Sequence, residues 1–337
     1  MSKDPKDERA HRARIEAYTF RIGLLYNTAV KELASLAQNL DYDPKKPFSF
    51  ADFPKTSKRL KATLESYANK LTILIGRGTT ASWYASLKKT DTRFPIKDVY
   101  TARNKEALKA FQTRVEAGLN LSDRVWKYTE QFQQEIELAL SGGIITGKSA
   151  AEIARSIKSQ LKEPDKLFRR VRDKYGVLQL SKKAKAYHPG QGVYRSSYKN
   201  ALRLAANEIN DAYRSADHYR WSTDASVIGF EVKLSNRHII VDMCDDLKGK
   251  YPKTFKFRMW HPNCLCYCVP ILANDDDFDK IQQATLAGED LPDDFTPAGT
   301  VKKTPAGFDD WVDKNKERLN RMKTKPYFVV DNQIPIN

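Results

Sequence analysis

The C-terminal half of the chain contains the sequence Trp260-His261-Pro262-Asn263-Cys264-Leu265-Cys266-Tyr267-Cys268. Together with Cys244, this run places all four cysteines of the 337-residue chain within 25 residues. Thiolates and a neutral imidazole are the ligands that a tetrahedral zinc ion prefers, and four of them close a structural site. The run therefore predicts a small β-structure stabilised by one zinc ion. The predicted ligands are Cys244, His261, Cys264 and Cys266.

The order of these residues suggests how they would meet. On a strand, Cys264 and Cys266 share one face, and the turn before them can fold the imidazole of His261 back toward the sulfurs. Cys268 is then left over or competes with Cys266. Because the spacing is not that of a standard zinc finger, the cysteines could instead be reduced and buried as small hydrophobic residues, or two of them could form a disulfide. His238 and Asp242 are additional candidates, as substitute ligands or as partners that orient the ligands.

The residues around the run alternate between apolar and polar types, which is typical of half-buried strands. Apolar residues alternate over 228–234, over 255–259 and over 264–269. The part of the chain before residue 140 is instead rich in Ala, Leu, Glu, Lys and Gln, with apolar residues three and four positions apart. A second helical stripe follows, formed by Leu202, Ala206, Ile209, Tyr213 and Ala216.

These patterns predict an α+β fold that is mainly α-helical, with a small antiparallel β-sheet in the C-terminal half that carries the Cys/His cluster. We expect three consecutive segments. Residues 1–140 form an N-terminal helical region, residues 141–272 form a domain of helices followed by the sheet, and residues 273–337 form an acidic linker and an extended tail, with a short helix around residues 311–322.

The charge of +16 is unevenly distributed. Residues 162–203 contain twelve Lys and Arg but three Asp and Glu, whereas residues 275–294 contain eight acids and one Lys. A basic block of this density attracts polyanions such as double-stranded DNA, and it equally suits an acidic protein surface. The residues predicted to make these contacts are Lys166, Arg169, Arg170, Arg172, Lys182, Lys183, Lys185, Arg195 and Lys199.

No apolar run approaches the ~20 residues that span a bilayer. The N-terminal residues lack the apolar core of a secretory signal. From these two features we expect a protein made in the cytoplasm that has no membrane partner. In that reducing compartment, metal binding or burial of the cysteines is favoured over a disulfide.

Several stretches resemble the phage Mu F-like head morphogenesis family, whose members are also called minor head or minor capsid proteins. The similarity is carried by residues 244–252, CDDLKGKYP, and by residues 260–266, WHPNCLC. It extends upstream through residues 192–201, GVYRSSYKNA, and residues 207–214, NEINDAYR. Together the resemblance covers about residues 140 to 272 and a short tail motif, Pro326-Tyr327-Phe328.

The resemblance implies a structural, non-catalytic virion component. Such a protein would sit inside the head near the portal after assembly in the host cytoplasm, and would act in capsid assembly and in DNA packaging or ejection. Its expected partners are the portal protein, other head proteins and DNA, with no small-molecule substrate. Many relatives carry a second cysteine where this chain has Val241, so a family metal site that used both cysteines would need another ligand here. Two alternatives remain: a metal-dependent nuclease or toxin that uses His238, Asp242 and His261, and a simple basic DNA-binding module.

Overall fold

The computed structural model of the chain describes residues 4–36, 50–145, 152, 169–172, 174–175, 178–180, 193–194, 196–292 and 294–336. Helices dominate these residues, as the sequence predicts. They are α1 (Lys6–Leu36), a short 3-10 helix (Phe50–Asp52), α2 (Pro54–Leu87), α3 (Ala102–Gln112), α4 (Leu121–Ile145), α5 (Ser197–Ser222), α6 (Met243–Leu247), α7 (Asp275–Ala287), α8 (Ala306–Arg321) and α9 (Tyr327–Asp331). The strands are β1 (Arg169–Arg172), β2 (Leu178–Leu180), β3 (Val227–Lys233), β4 (Gly249–Tyr251) and β5 (Tyr267–Leu272).

The chain forms two compact units that are not consecutive in sequence. One, the sheet unit, contains Met1–Ile15, Gly78–Gln112 and Asn207–Asn337. The other, the helical unit, contains Glu16–Arg77 and Thr113–Ala206. Neither predicted boundary, at residues 140/141 or 272/273, coincides with a boundary between these units.

The helical unit is built from the apolar stripes of α1, α2, α4 and the first turns of α5. Apolar residues three and four positions apart lie on one face of a helix. In α1 this face is buried at Ile22, Tyr26, Val30 and Leu33. Its partners in the same core include Leu64, Leu71, Phe132, Ile136 and Ala205. In this unit β1 and β2 also pair as an antiparallel hairpin.

The sheet unit is centred on an antiparallel sheet with the strand order β4-β3-β5. Phe230 pairs with Tyr251 of β4, and Val232 pairs with Cys268 of β5. Buried aromatic rings cover this sheet, so the alternation over 228–234 is that of a strand with a buried face. The predicted small antiparallel sheet in the C-terminal half is confirmed, as is the α+β class.

Two details of the predicted sheet were wrong. Residues 255–259 do not form a strand, and the third strand is Gly249–Tyr251 instead. Phe255, Phe257 and Met259 are nevertheless buried. Their alternation therefore reflects burial in an irregular segment. The last strand starts at Tyr267, so Cys264 and Cys266 precede the strand on which they were expected.

The region after residue 273, expected to be a linker, a short helix and an extended tail, contains α7, α8 and α9, and α8 confirms the predicted helix. Phe308 of α8 and Phe328 of α9 are buried and lie edge-on to each other, with ring centroids 5.9 Å apart. Phe328 also packs against Trp260, at 5.4 Å between ring centroids. Phe328 and Val329 are therefore part of the core of the sheet unit, in a short helix where an extended arm was predicted.

A network of buried charges lies on α5 within the sheet unit. Arg214 donates two hydrogen bonds to the Glu8 carboxylate, at 2.9 and 2.6 Å. Asp217 accepts hydrogen bonds from Lys89 at 2.9 Å and from Ser86 at 2.7 Å. The ion pair with Lys89 is among the contacts that hold the pKa of Asp217 down, at about 2, against its burial. Such a network is stable only when every charge keeps its partner.

Candidate metal centre

Cys244 is placed by the short helix α6. The side chain of Asp242 accepts a hydrogen bond from the backbone N–H of Cys244 at 2.7 Å, and Asp245 accepts one from the backbone N–H of Asp242 at 3.0 Å. This reciprocal capping box fixes the first turn of the helix. The Cys244 side chain is thereby held in the core, where the residue has no exposed surface.

Cys264 is placed by a tight turn. Its backbone N–H donates to the carbonyl of His261 at 3.1 Å. Asn263 adopts a left-handed conformation, with φ of 62°, which asparagine tolerates better than most residues. The backbone N–H of Asn263 donates to the side chain of Asn207 on α5 at 2.9 Å. This turn sets the position of both His261 and Cys264.

Cys266 is placed by a contact that sequence patterns did not reveal. Arg214 of α5 donates a hydrogen bond to the carbonyl oxygen of Cys266 at 3.2 Å, while its guanidinium also holds Glu8. Arg214 is buried, and it lies 52 residues before Cys266 in the chain. The sequence feature that relates to this contact is the position of Arg214 beside the apolar stripe of a helix, and it does not identify Cys266 as the partner.

The structure brings three of the four predicted ligands together. The sulfurs of Cys244, Cys264 and Cys266 all lie within 4.8 Å of one another, and all three residues are buried. The sulfurs of Cys244 and Cys264 are 3.8 Å apart. That separation is far longer than the roughly 2.05 Å of a disulfide, and all four cysteines are free. It matches the ~3.8 Å between two sulfurs that each lie ~2.3 Å from a tetrahedral zinc ion. This cluster could hold a metal ion.

His261, the fourth predicted ligand, contacts one sulfur of the cluster. Its Nε2 lies 3.1 Å from the sulfur of Cys244. Its Nδ1 lies 2.9 Å from the carbonyl oxygen of Pro262, which can only accept a hydrogen bond. With the proton of the neutral ring on Nδ1, Nε2 presents its lone pair toward the sulfur of Cys244. Such an arrangement is typical of a metal-binding histidine.

Hydrogen bonds among the sulfurs shift the pKa values of Cys264 and Cys244 in opposite directions. The hydrogen bonds with Cys244 and Cys266 lower the pKa of Cys264 well below its usual value. The hydrogen bond with Cys264 raises the pKa of Cys244. These shifts favour ionisation of Cys264 within the group, and a thiolate is the form that binds metal.

Cys268 lies apart from this cluster. It is on β5, opposite Val232, and it lines a small space together with aromatic side chains, such as Trp221 and Phe230, and the charged side chains of Arg214 and Asp217. Burial raises the pKa of Cys268 well above its usual value. Cys268 is therefore a buried thiol, which resolves the expected competition with Cys266 in favour of Cys266.

A second group of donors shares Cys244. His238, Asp242 and Cys244 offer ligand atoms that all lie within 4.8 Å of one another. His238 Nε2 is 2.9 Å from a carboxylate oxygen of Asp245 and 4.0 Å from one of Asp242. The other oxygen of Asp242 lies 3.1 Å from His261 Nε2. Unlike the sulfurs, His238 and Asp242 are partly exposed.

The predicted nucleic-acid or portal contacts are described only in part. Arg169, Arg170 and Arg172 belong to β1, which pairs with β2. Lys199 lies in the first turn of α5 and is exposed. The remaining predicted residues lie outside the described residues: Lys166, Lys182, Lys183, Lys185 and Arg195.

A groove of about 510 Å³ opens elsewhere in the sheet unit, lined by Pro252, Thr254, Phe255 and residues 302–304 and 331–334 among others. None of the four predicted metal ligands lines it. In the described part of the chain, no helix combines the length and apolarity that crossing a membrane requires. No protein-family model, curated protein or solved structure matches the chain.

Proposed function

We propose that this protein is a structural minor head protein of a phage or prophage, which acts in assembly near the portal. The support is a coincidence between sequence and structure. The two stretches that carry the resemblance to the Mu F-like family, residues 244–252 and 260–266, are the stretches that supply the buried sulfur cluster. In this proposal the cluster has an architectural role, because it joins α6 to the segment that leads into β5.

The ion proposed for this cluster is zinc, with Cys244, His261, Cys264 and Cys266 as its ligands. Three thiolates and one imidazole form a common closed set for structural zinc. Zinc also has no redox chemistry that would oxidise adjacent thiolates. The 3.8 Å separation between the sulfurs of Cys244 and Cys264 is the observation that carries this assignment.

Elemental analysis of the purified protein tests the zinc assignment. We expect about one tightly held zinc ion in the sulfur cluster, released by a denaturant together with a chelator, with three thiols titrating only after release. A protein that contains no metal, with all four thiols reacting at once under native conditions, would defeat the assignment.

Co-expression with the portal protein encoded in the same phage or prophage tests the role in assembly. We expect the two proteins to purify as a complex that persists in high salt, because an assembly interface buries apolar surface as well as charge. If the chain never associates with the portal or with assembled heads, the proposed role fails.

The basic block from residue 162 to residue 203 is proposed to contact DNA or an acidic portal surface. Contacts to phosphates release counterions, so binding to DNA weakens steeply as salt rises. Filter binding of duplex DNA over a range of salt concentrations separates the two partners. Retention of DNA that falls steeply with salt favours the DNA contact, whereas no retention together with portal binding favours the protein contact.

A metal-dependent nuclease or toxin is the second candidate. The partly exposed group of His238, Asp242 and Cys244 favours it, because a catalytic metal needs ligands that leave one position open to substrate. Incubation of plasmid DNA with the protein and Mg²⁺, Mn²⁺ or Zn²⁺ tests this function. Cleavage that is lost in Asp242→Asn would support it, and intact plasmid with every ion would remove it.

A further inference from the structure

We propose that the protein binds a second divalent metal ion at His238 and Asp242, and that the thiolate of Cys244 bridges this ion to the zinc of the sulfur cluster. The inference rests on the proposed zinc, since Cys244 belongs to both groups of donors. It does not depend on whether the chain cleaves DNA.

The distances suit two ligands of one ion better than a hydrogen bond. His238 Nε2 and the nearer oxygen of Asp242 are 4.0 Å apart. Two nitrogen or oxygen ligands that each lie ~2.1 Å from a shared ion are roughly 3–4 Å apart. Asp245 places a further carboxylate oxygen beside this group, 2.9 Å from the same nitrogen. The group thus combines an imidazole, carboxylates and a thiolate, which suits zinc or cobalt.

The electrostatics of the neighbouring site also favour a second cation. A zinc ion with three thiolates and a neutral imidazole carries a net charge of −1, and the carboxylates of Asp242 and Asp245 bring this to −3. Asp242 Oδ2 lies 3.1 Å from His261 Nε2, so this carboxylate stands directly beside the proposed zinc ligands and adds to their negative charge. A second divalent ion reduces the net charge of the whole cluster to −1.

The second ion would also hold together the two ends of an exposed loop. Ile239, Ile240 and Val241 are 88%, 71% and 85% exposed, and they lie between His238 and Asp242. Three consecutive large aliphatic residues are seldom so exposed. An ion bound to both flanking residues restricts the loop and lowers the entropy cost of presenting its apolar tip.

Metal stoichiometry of the full chain, reconstituted with Zn²⁺, tests the proposal. We expect two ions per chain, falling to one in His238→Ala and in Asp242→Asn. The matched control is Asp246→Asn, which changes an exposed carboxylate on the same helix and should retain two ions. Circular dichroism checks that each variant is folded.

Cobalt substitution tests the thiolate bridge without any mutation. The first equivalent of Co²⁺ should give the charge-transfer absorption of cobalt thiolates and an electron paramagnetic resonance signal. The second equivalent should diminish that signal, because a bridging thiolate couples the spins of the two ions. If the second equivalent of Co²⁺ instead adds its own signal to that of the first, the two ions are not coupled and the thiolate bridge is overturned.

The outcomes separate this inference from the zinc assignment. One ion per wild-type chain, kept in His238→Ala but lost in Cys266→Ala, overturns the second site and leaves the zinc assignment standing. No ion in the wild-type chain overturns both.

Discussion

Arg214 illustrates how a single residue connects distant parts of the sheet unit. Its guanidinium holds the carboxylate of Glu8, near the N-terminus, and the carbonyl oxygen of Cys266, in the sulfur cluster. A buried arginine needs such partners because an unpaired charge in the interior is very costly. The position of a predicted metal ligand is therefore set by a residue on α5 and by the first turn of α1.

The two neighbouring cysteines Cys266 and Cys268 are expected to respond differently to the same substitution. Cys266→Ala should abolish metal binding and lower the free energy of unfolding by roughly 3 kcal/mol or more, since the energy of binding a structural metal contributes to folding. Cys268→Ala should keep the metal and cost about 1 kcal/mol for the small cavity. Elemental analysis and urea denaturation measure both effects. Equal loss of metal in the two variants would contradict the separation of the two thiols.

Glu135 in the helical unit is a second residue with a distinct role. Its carboxyl group is buried and hydrogen-bonded to the backbone N–H of Ser197 at 2.7 Å and to the Ser197 hydroxyl at 2.5 Å. Burial raises the pKa of Glu135 from 4.5 to about 8. The carboxyl group is therefore mostly protonated at neutral pH and links α4 to the start of α5.

This raised pKa predicts how stability depends on pH. The folded state binds the proton more tightly than the unfolded state, so the contribution is fully present below about pH 4.5 and is lost as the pH rises toward about 8. Glu135→Gln, which mimics the protonated form, should reduce the fall in unfolding free energy over this window by a few kcal/mol, at about 1.4 kcal/mol per pKa unit. Urea denaturation at several pH values measures it. The exposed Glu130→Gln on the same helix should keep the wild-type slope, and a wild-type slope in Glu135→Gln would refute the prediction.

At the scale of elements, β3 depends on a glycine for its close packing. A Cβ added to Gly229 would lie 2.7 Å from a methyl carbon of Val301 and 2.9 Å from the carbonyl oxygen of Tyr251. The backbone N–H of Val301 also donates to the carbonyl of Ile228 at 3.0 Å. The segment that contains Val301 thus lies directly against the strand, in space that only glycine leaves open.

Gly229→Ala is therefore expected to destabilise the protein by about 1–3 kcal/mol, the usual cost of forcing extra atoms into a packed core. The matched control is Gly76→Ala in α2, where an added Cβ meets no atom within 4 Å. That change should stabilise the protein by about 0.5–1 kcal/mol, because alanine favours a helix over glycine. Thermal or urea denaturation of both variants measures these changes. A Gly229→Ala variant as stable as the wild type would contradict the close approach of Val301 to β3.

At the scale of the whole molecule, the sulfur cluster belongs to one unit only. Cys244, Cys264 and Cys266 all lie within Asn207–Asn337, and the residues that orient them come from the same unit. The helical unit has a separate apolar core formed by α1, α2, α4 and α5. Removal of a metal from the cluster should therefore affect the two units unequally.

Hydrogen exchange with and without a strong chelator measures this difference. We expect faster exchange after metal removal in residues 207–337, 78–112 and 4–15, with the largest change around α6 and residues 260–266. Exchange in residues 50–77 and 113–145 should stay the same. An equal increase in both units would mean that the metal stabilises the chain as a whole and would contradict this division.

The sequence alone determined helices α1, α2, α4 and α5, strand β3 and the grouping of Cys244, Cys264 and Cys266. Apolar periodicity identified α1, α2, α4 and α5 because each of these helices buries one continuous stripe. The cysteines were grouped correctly because they are close in sequence, and a short loop between ligands restricts how far apart they can lie. The resemblance to the phage head family, and the function that it implies, remain proposals.

Tertiary structure alone decided which thiols meet, where the third strand lies and what the tail does. Alternation reports burial and not hydrogen bonding, so residues 255–259 carried the pattern of a strand although β4 supplies the pairing edge. Residues 327–331 are rich in β-branched and aromatic types, yet they form a helix because Phe328 and Val329 are buried there in the core around Trp260. Cys266 joins the sulfur cluster and Cys268, two positions later, does not, because β5 begins between them and Arg214 donates a hydrogen bond to the carbonyl of Cys266. These choices depend on contacts between residues far apart in sequence, which local patterns do not contain.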